Sequence, residues 1–259
     1  MKRSIGRVTA AVMALMLAIS ITACGGGSPI PSLVEKADLP EPAAEEPAKD
    51  SAEAPQEADT AEEEEAEETQ TFTAGTVESG VYTNAFYGLT YTVDSDMIYL
   101  TEAQLRRENG MRDEGESFDE ELDRLLSGGR SYVLVEATNG DATRLFDIVC
   151  TNVIAGLSDD ERKSITAADM IARVQDLSFK NITNYFENNG LRDAVIENTT
   201  IDFLGEERPA ISVECPIYDT RIHQRIIFLE KDGYVAQLMV SCYGDDTSAG
   251  MLSRAQAIN

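Results

Sequence analysis

Apolar residues are distributed along this chain in three distinct ways. Val8 to Ile21 is an almost unbroken apolar run, residues 25 to 79 hold little apolar clustering, and beyond Gly80 short apolar runs alternate with turn-forming residues. The first run falls short of the roughly 20 residues that a membrane-spanning helix needs. The second cannot bury enough apolar surface to offset chain entropy, and is expected to be disordered. Folded structure is therefore expected from residue 80 to the end.

Within that last region, Val81-Tyr82-Thr83-Asn84 and Leu89-Thr90-Tyr91-Thr92-Val93 read as a hairpin around Phe86-Tyr87-Gly88, and Met97 to Leu100 as a further short strand. Thr101 offers a hydroxyl cap to a helix opening at Glu102, and Phe118 to Leu126 predicts a second helix closed by Ser127-Gly128-Gly129. Tyr132 to Ala137 and Leu145 to Ile154 are predicted strands, with Asn139-Gly140 as the turn pair between them. Thr166-Ala167-Ala168-Asp169 resembles a capping box and opens the longest helix, where Ile171, Val174, Ile182 and Tyr185 share a face.

After Asn188-Asn189-Gly190 comes an expected meander of four strands: Ala194 to Leu204, Ala210 to Tyr218, Ile222 to Glu230 and Tyr234 to Tyr243. Asp232-Gly233 is a strong tight-turn signal. A closing helix is expected from Asp246 to about Ala257. This order of elements predicts an α+β fold, an antiparallel sheet with a C-terminal meander packed by helices.

Charge changes the picture at the amino-terminal end. Lys2, Arg3 and Arg7 precede the apolar run, which makes it a signal-peptide h-region. It ends in Ile21-Thr22-Ala23-Cys24-Gly25, which resembles the bacterial lipobox. That resemblance implies that Ile21, Thr22 and Ala23 are read by the lipoprotein signal peptidase, and that the Cys24 thiol carries diacylglycerol after cleavage ahead of it. Two or three acyl chains give stable anchoring. The expected localisation is the outer face of the bacterial plasma membrane, lipid-anchored and extracytoplasmic. The expected organisation is a signal peptide over 1–23, the lipidated cysteine and disordered acidic linker over 24–79, and an α+β domain over 80–259.

The whole chain carries a formal net charge of −26. Residues 25 to 79 hold 16 acidic and 2 basic side chains, including Glu62-Glu63-Glu64-Glu65, so the linker is a self-repelling spacer or an acidic tail for a divalent ion or partner. The domain is itself acidic. That disfavours nucleic acid as a partner.

The Tyr82-Thr83-Asn84 and Tyr87-Gly88-Leu89 opening, the Thr101-Glu102 helix start, the long middle helix and the meander before a terminal helix resemble lipobox-bearing lipoproteins of Gram-positive Clostridia. Their folded part is similar to the PsbP-like and Mog-type αβα sandwich. Where members often carry Pro-x-Gly-Trp, this chain has Val93-Asp94-Ser95-Asp96-Met97-Ile98 and no tryptophan. The resemblance implies docking and accessory roles, and it carries over no catalytic residue.

Candidate chemistry is sparse. Cys150, Cys215 and Cys242 are odd in number and fall in predicted strands, Cys215 near Gln224 and Cys242 near His223, which favours buried free thiols over a disulfide. His223 is the only histidine, a general base or a satisfied structural side chain. Asp113, Glu114, Glu116, Asp119, Glu120, Glu121 and Asp123 cluster around Gly115 without the ligand spacing of a calcium loop, and read as a solvated loop and helix start. No cofactor or metal is expected. The functional expectation is a noncatalytic binding or accessory domain that docks an envelope protein or polymer, with a lipid-anchored solute receptor as alternative. An envelope hydrolase using a carboxylate pair is the third reading, since such a pair leaves no local signature.

Overall fold

The structure is a computed structural model that describes residues 71–112 and 115–258. Among the described residues the chain forms β1 (Thr76–Glu78), β2 (Val81–Asn84), β3 (Leu89–Thr92), β4 (Met97–Tyr99), α1 (Glu102–Glu108) and α2 (Phe118–Leu126). The hairpin β5 (Ser131–Asn139) and β6 (Arg144–Asn152) follows, then α3 (Asp159–Ser164) and α4 (Ala167–Asn188). Last come β7 (Val195–Phe203), β8 (Glu206–Ile217), β9 (Thr220–Lys231), β10 (Tyr234–Tyr243), α5 (Ser248–Leu252) and β11 (Ala255–Ala257). The class is α+β. A seven-stranded antiparallel sheet runs in the order β4-β5-β6-β10-β9-β8-β7, and a four-stranded antiparallel sheet in the order β1-β2-β3-β11.

The large sheet buries both faces, which is why runs such as Ile226-Ile227-Phe228-Leu229 do not alternate with polar residues. On one face Ile211, Val213, Ile226, Phe228 and Met239 pack against Met170, Val174, Ile182 and Phe186 of α4. On the other, Phe146, Ile148, Leu238 and Val240 meet Tyr82, Leu89 and Tyr91 of the small sheet, Leu122 and Leu126 of α2, and Met251 and Leu252 of α5. Tyr91 stacks on Phe146 with centroids 3.6 Å apart, joining the two sheets. Leu105 of α1 packs on Val133 and Val149.

Each of the first four helices starts at a reciprocal capping box: Thr101 with Gln104, Ser117 with Glu120, Ser158 with Glu161, and Thr166 with Asp169. In each, the cap hydroxyl accepts the N–H three residues on while that residue's side chain takes the cap N–H, so two otherwise orphaned donors are satisfied. The four-strand meander folds as expected, with Asp232 and Gly233 both at positive φ in the turn between β9 and β10.

Several expectations are corrected. The domain does not begin at Gly80: Phe72 and Ala74 are in the core, and β1 lies within what reads as linker. Gly75 makes this possible, since at φ +85° a Cβ there would lie 2.6 Å from the Thr83 carbonyl oxygen. The expected last helix stops at Leu252. Residues 255–257 then turn into β11, because Ala255-Gln256-Ala257 complete the edge of β3. Asn139-Gly140 is not a two-residue turn. The connection runs on to Ala142 at φ +52°, with the Asn139 amide bonded to Thr143 Oγ1 and to the Arg144 N–H. On α4 the buried seam is Met170, Val174, Ser178, Ile182 and Phe186, flanked by half-buried Ile171 and Tyr185. Ser178 belongs in that seam because it donates to Gln237 Oε1 at 2.5 Å. α3, which buries no side chain, has no apolar periodicity to announce it.

Candidate functional site

A cavity of about 350 Å³ opens between α1, β4 and the β5–β6 hairpin. Its geometry starts from register. Ile98 pairs with Thr138, and the Leu100 N–H donates to the Glu136 carbonyl at 2.8 Å, so side-chain alternation puts Ile98, Leu100, Glu136 and Thr138 on one face. Across the hairpin, Leu145 lies opposite Thr138 and Asp147 opposite Glu136.

A bulge between Val133 and Val135 decides which face this is. An extra residue inverts the alternation beyond it. Val133 faces α1, Leu134 and Val135 both point into the core beneath the small sheet, and Glu136 returns to the α1 side. Asn109, the C-cap of α1, holds the helix here. Its amide donates to the Val133 carbonyl at 2.8 Å and its Oδ1 accepts the Val133 N–H at 2.7 Å.

Ile98, Tyr99, Leu100, Ala142 and Leu145 make the walls largely apolar, with Gln104, Glu108, Glu136, Thr138, Asn139 and Gly140 completing the lining. Most of these polar side chains are already committed. Gln104 Oε1 accepts from Thr101, Thr138 Oγ1 donates to the Arg144 carbonyl, and Asn139 is held as above. Glu136 differs. It is only 4 % exposed, and among the described residues its carboxyl group makes no hydrogen bond and no ion pair. Burial pushes that carboxyl up to about 7, and the charge of Glu108 pushes the same way. Glu108 is exposed, at the mouth. Such a site can neutralise a cation, and it can hold a proton near neutral pH.

Sequence reasoning missed Glu136. The available signal was a lone acid within each of two apolar strands, Val133-Leu134-Val135-Glu136-Ala137 and Leu145-Phe146-Asp147-Ile148, which a hairpin brings side by side.

The residues that were singled out lie elsewhere. His223 is flanked on the sheet by Glu214 and Cys242, as expected for Cys242. Its Nδ1 lies 3.9 Å from Asp246 Oδ2 and 4.0 Å from Glu214 Oε1, too far for hydrogen bonds. Cys242 is 1 % exposed and its sulfur accepts the Thr247 N–H, so it is no accessible nucleophile. Burial would raise the Asp246 carboxyl, but bonds from Ser248 N–H and Oγ, with His223 and Arg225 nearby, hold it below its ordinary value. Cys215 lies opposite Ile222 and on the α4 side, since the turn at Tyr218 places Val213 against Gln224 instead. Cys150, Cys215 and Cys242 are buried free thiols.

The acidic cluster does structural work. Glu116 pairs with Arg124, Asp119 takes the Thr73 hydroxyl and the Ala74 N–H, Glu120 caps Ser117, Glu121 pairs with Arg106, and Asp123 accepts from Tyr234. Asp113 and Glu114 lie outside the described residues, as do Ile21, Thr22, Ala23 and Cys24. Among the described residues no group of three or more His, Cys, Asp or Glu side chains gathers as a metal site, and no helix is long and apolar enough to cross a membrane.

No family model matches the chain, and no curated protein does. Among solved structures, one from Bacteroides thetaiotaomicron is similar at 12 % identity and a TM-score of 0.31, over 66 % of this chain and 45 % of that one. A protein of unknown function from Pseudomonas aeruginosa is similar at 13 % identity and a TM-score of 0.23, over 38 % of this chain and 58 % of that one. The chain thus spans about half the length of these structures.

Proposed function

We propose that the chain is an extracytoplasmic lipoprotein, anchored to the outer face of the bacterial plasma membrane through Cys24, whose folded domain is a noncatalytic binding module that docks an envelope protein or polymer. The observation that carries the binding reading is the cavity beneath α1, floored by a carboxyl group that no described residue neutralises. At about 350 Å³ it sits near the lower end of small-molecule pockets, roughly 300–1,000 Å³, so it takes one side chain or terminal group of a larger partner. The lipobox residues Ile21, Thr22, Ala23 and Cys24 carry the address.

The finer fold reading, a PsbP-like and Mog-type αβα sandwich of the kind found on lipoproteins of Clostridia, belongs to the same proposal. It draws support from a large antiparallel sheet with α1 and α4 on one face and α2 and α5 on the other, the four-stranded sheet being an addition.

One observation favours a second reading, a hydrolase with a carboxylate pair: Glu136 is held protonated to near neutral pH beside Glu108. The lining weighs against it. A sugar ring needs hydroxyl partners on several sides, whereas Thr138 and Asn139 are spent on the hairpin turn.

Two experiments test the proposal. Cys24→Ser should abolish incorporation of labelled fatty acid, and unchanged incorporation would sink the anchor. In the methyl-labelled full chain in detergent, soluble cell-wall fragments should shift Ile98, Leu100 and Leu145, which line the cavity. Shifts confined to other methyl groups would move the binding site elsewhere, and release of reducing sugar that depends on Glu136 would favour the hydrolase.

A further inference from the structure

Resting on the reading of this cavity as the binding site, we infer that it recognises an alkylammonium group, a protonated primary amine on a short apolar stem. The stem lies against Ile98, Leu100, Ala142 and Leu145, and the ammonium is held by Glu136 with Glu108 at the mouth.

Charge complementarity selects this class. Among the described residues that line the cavity there are two carboxylates and no lysine or arginine. Of the two guanidinium groups on α1, Arg106 is spent on Glu102 and Glu121, and Arg107 is exposed and does not line the cavity. Arg144, at the start of β6, pairs with Asp94 and Asp96. An anionic ligand is therefore repelled, and a neutral polar one finds most hydrogen-bonding groups occupied. A metal ion would need several convergent oxygen ligands, and the described acids do not form such a group. What remains is a single positive charge with N–H donors, on a body that apolar walls can cover. An ammonium satisfies a buried carboxylate that is otherwise paired with nothing, and charge-assisted bonds of that kind are the strong ones.

Binding also has a proton signature. Among the described residues, the ionisable groups set against Glu136 are Glu108 on α1 and Asp147, its cross-strand neighbour on β6. β4 contributes no charged side chain to the lining. Below neutral pH Glu136 carries a proton that the incoming ammonium displaces, so one proton leaves for each amine bound.

The test is calorimetric titration of the full chain in detergent at pH 6 and pH 8. The ligands are n-pentylamine, n-pentanol and Nα-acetyl-lysine methylamide. The amine should bind at least about tenfold more tightly than the alcohol, and at pH 6 should release close to one proton in buffers of differing ionisation enthalpy. Glu136→Gln should remove that preference and the proton release, and Glu108→Gln should weaken amine binding about threefold, as a mouth charge in contact with water does. Tighter binding of the lysine derivative assigns the source to a pendant lysyl side chain, and tighter binding of the pentylamine to a free amine. Equal affinity for amine and alcohol, both competing for the methyl shifts of Leu100 and Leu145, overturns the ammonium inference and leaves the cavity reading standing. Silence of all three ligands overturns both.

Discussion

Phe72 stacks on Tyr234 with ring centroids 4.6 Å apart and planes 16° from parallel, while Phe86 meets both rings edge-on. This cluster ties the segment before β1 to the start of β10. Its polar complement lies alongside: the Tyr82 hydroxyl donates to the Ala74 carbonyl at 2.6 Å, and Asp119 receives the Ala74 N–H at 2.8 Å.

A fragment beginning at Gly80 should therefore be less stable than one beginning at Thr71, although the removed residues look like linker. Phe72→Ala in the longer fragment should cost about 3 kcal/mol, as for other large aromatic truncations. Urea denaturation of the three proteins checks this. Identical midpoints would show that the stack contributes nothing.

Gly233 offers a controlled comparison. Its φ is +85°, and a Cβ there would meet Ile154 at 2.5 Å, whereas at Gly205, with φ +81°, nothing lies within 4 Å. Gly205→Ala should carry only the conformational cost of roughly 1 kcal/mol, and Gly233→Ala appreciably more, up to about 3 kcal/mol. The difference between their thermal midpoints measures the collision with Ile154.

Arg106 is buried on α1 and gathers α2 and the connecting loop, bonding Glu121 and Glu102 at 2.8 Å each and the Glu116 carbonyl at 3.0 Å. Arg106→Met should cost about 3–5 kcal/mol, because it strands Glu121 without its buried partner. Adding Glu121→Met should restore much of the loss. A double-mutant cycle in denaturant would read the coupling directly.

The pH dependence of stability follows from Glu136. Its carboxyl binds a proton more tightly folded than unfolded, with a value of about 7 against an ordinary 4.5. The stabilisation is fully present below about pH 4.5 and fades as pH rises through about 7. Glu136→Gln should remove this slope and should be more stable than the parent at pH 8. Thermal midpoints across pH 4–9 decide it, and parallel profiles for the two chains would show that Glu136 titrates normally.

Burial pushes the Cys150 thiol up to about 12 and the Cys215 thiol up to about 11. Since the thiolate is the reactive form, the Cys24→Ser chain at pH 8 should react negligibly with an aromatic disulfide reagent while native. It should react at all three cysteines once unfolded in denaturant. Rapid reaction of the native chain would place a thiol at the surface.

Much of the fold was legible because it is written in local signals. The meander between Val195 and Tyr243 is announced by short apolar runs and by Asp232-Gly233, and Thr101 and Thr166 open helices where hydroxyl caps predict. What escaped carries no periodicity. β1 exposes all three of its residues, and Val77 stands alone between polar neighbours, so only its tertiary partners make it a strand. The candidate site escaped for another reason. Glu136 reaches its cavity only because the ladder slips between Val133 and Val135, and one such slip reverses which face every later side chain takes. Strand propensity carries no mark of that slip.

The small sheet joins β1, β2 and β3 to β11, so its first and last strands come from opposite ends of the described fold. This sets an order of assembly. The meander pairs near neighbours and can zip from its turns as it emerges, whereas the outer edge of β3 stays open until Ala255–Ala257 arrive. A chain that has not yet placed Ala255–Ala257 therefore holds its long sheet while one edge of the small sheet still lacks its partner.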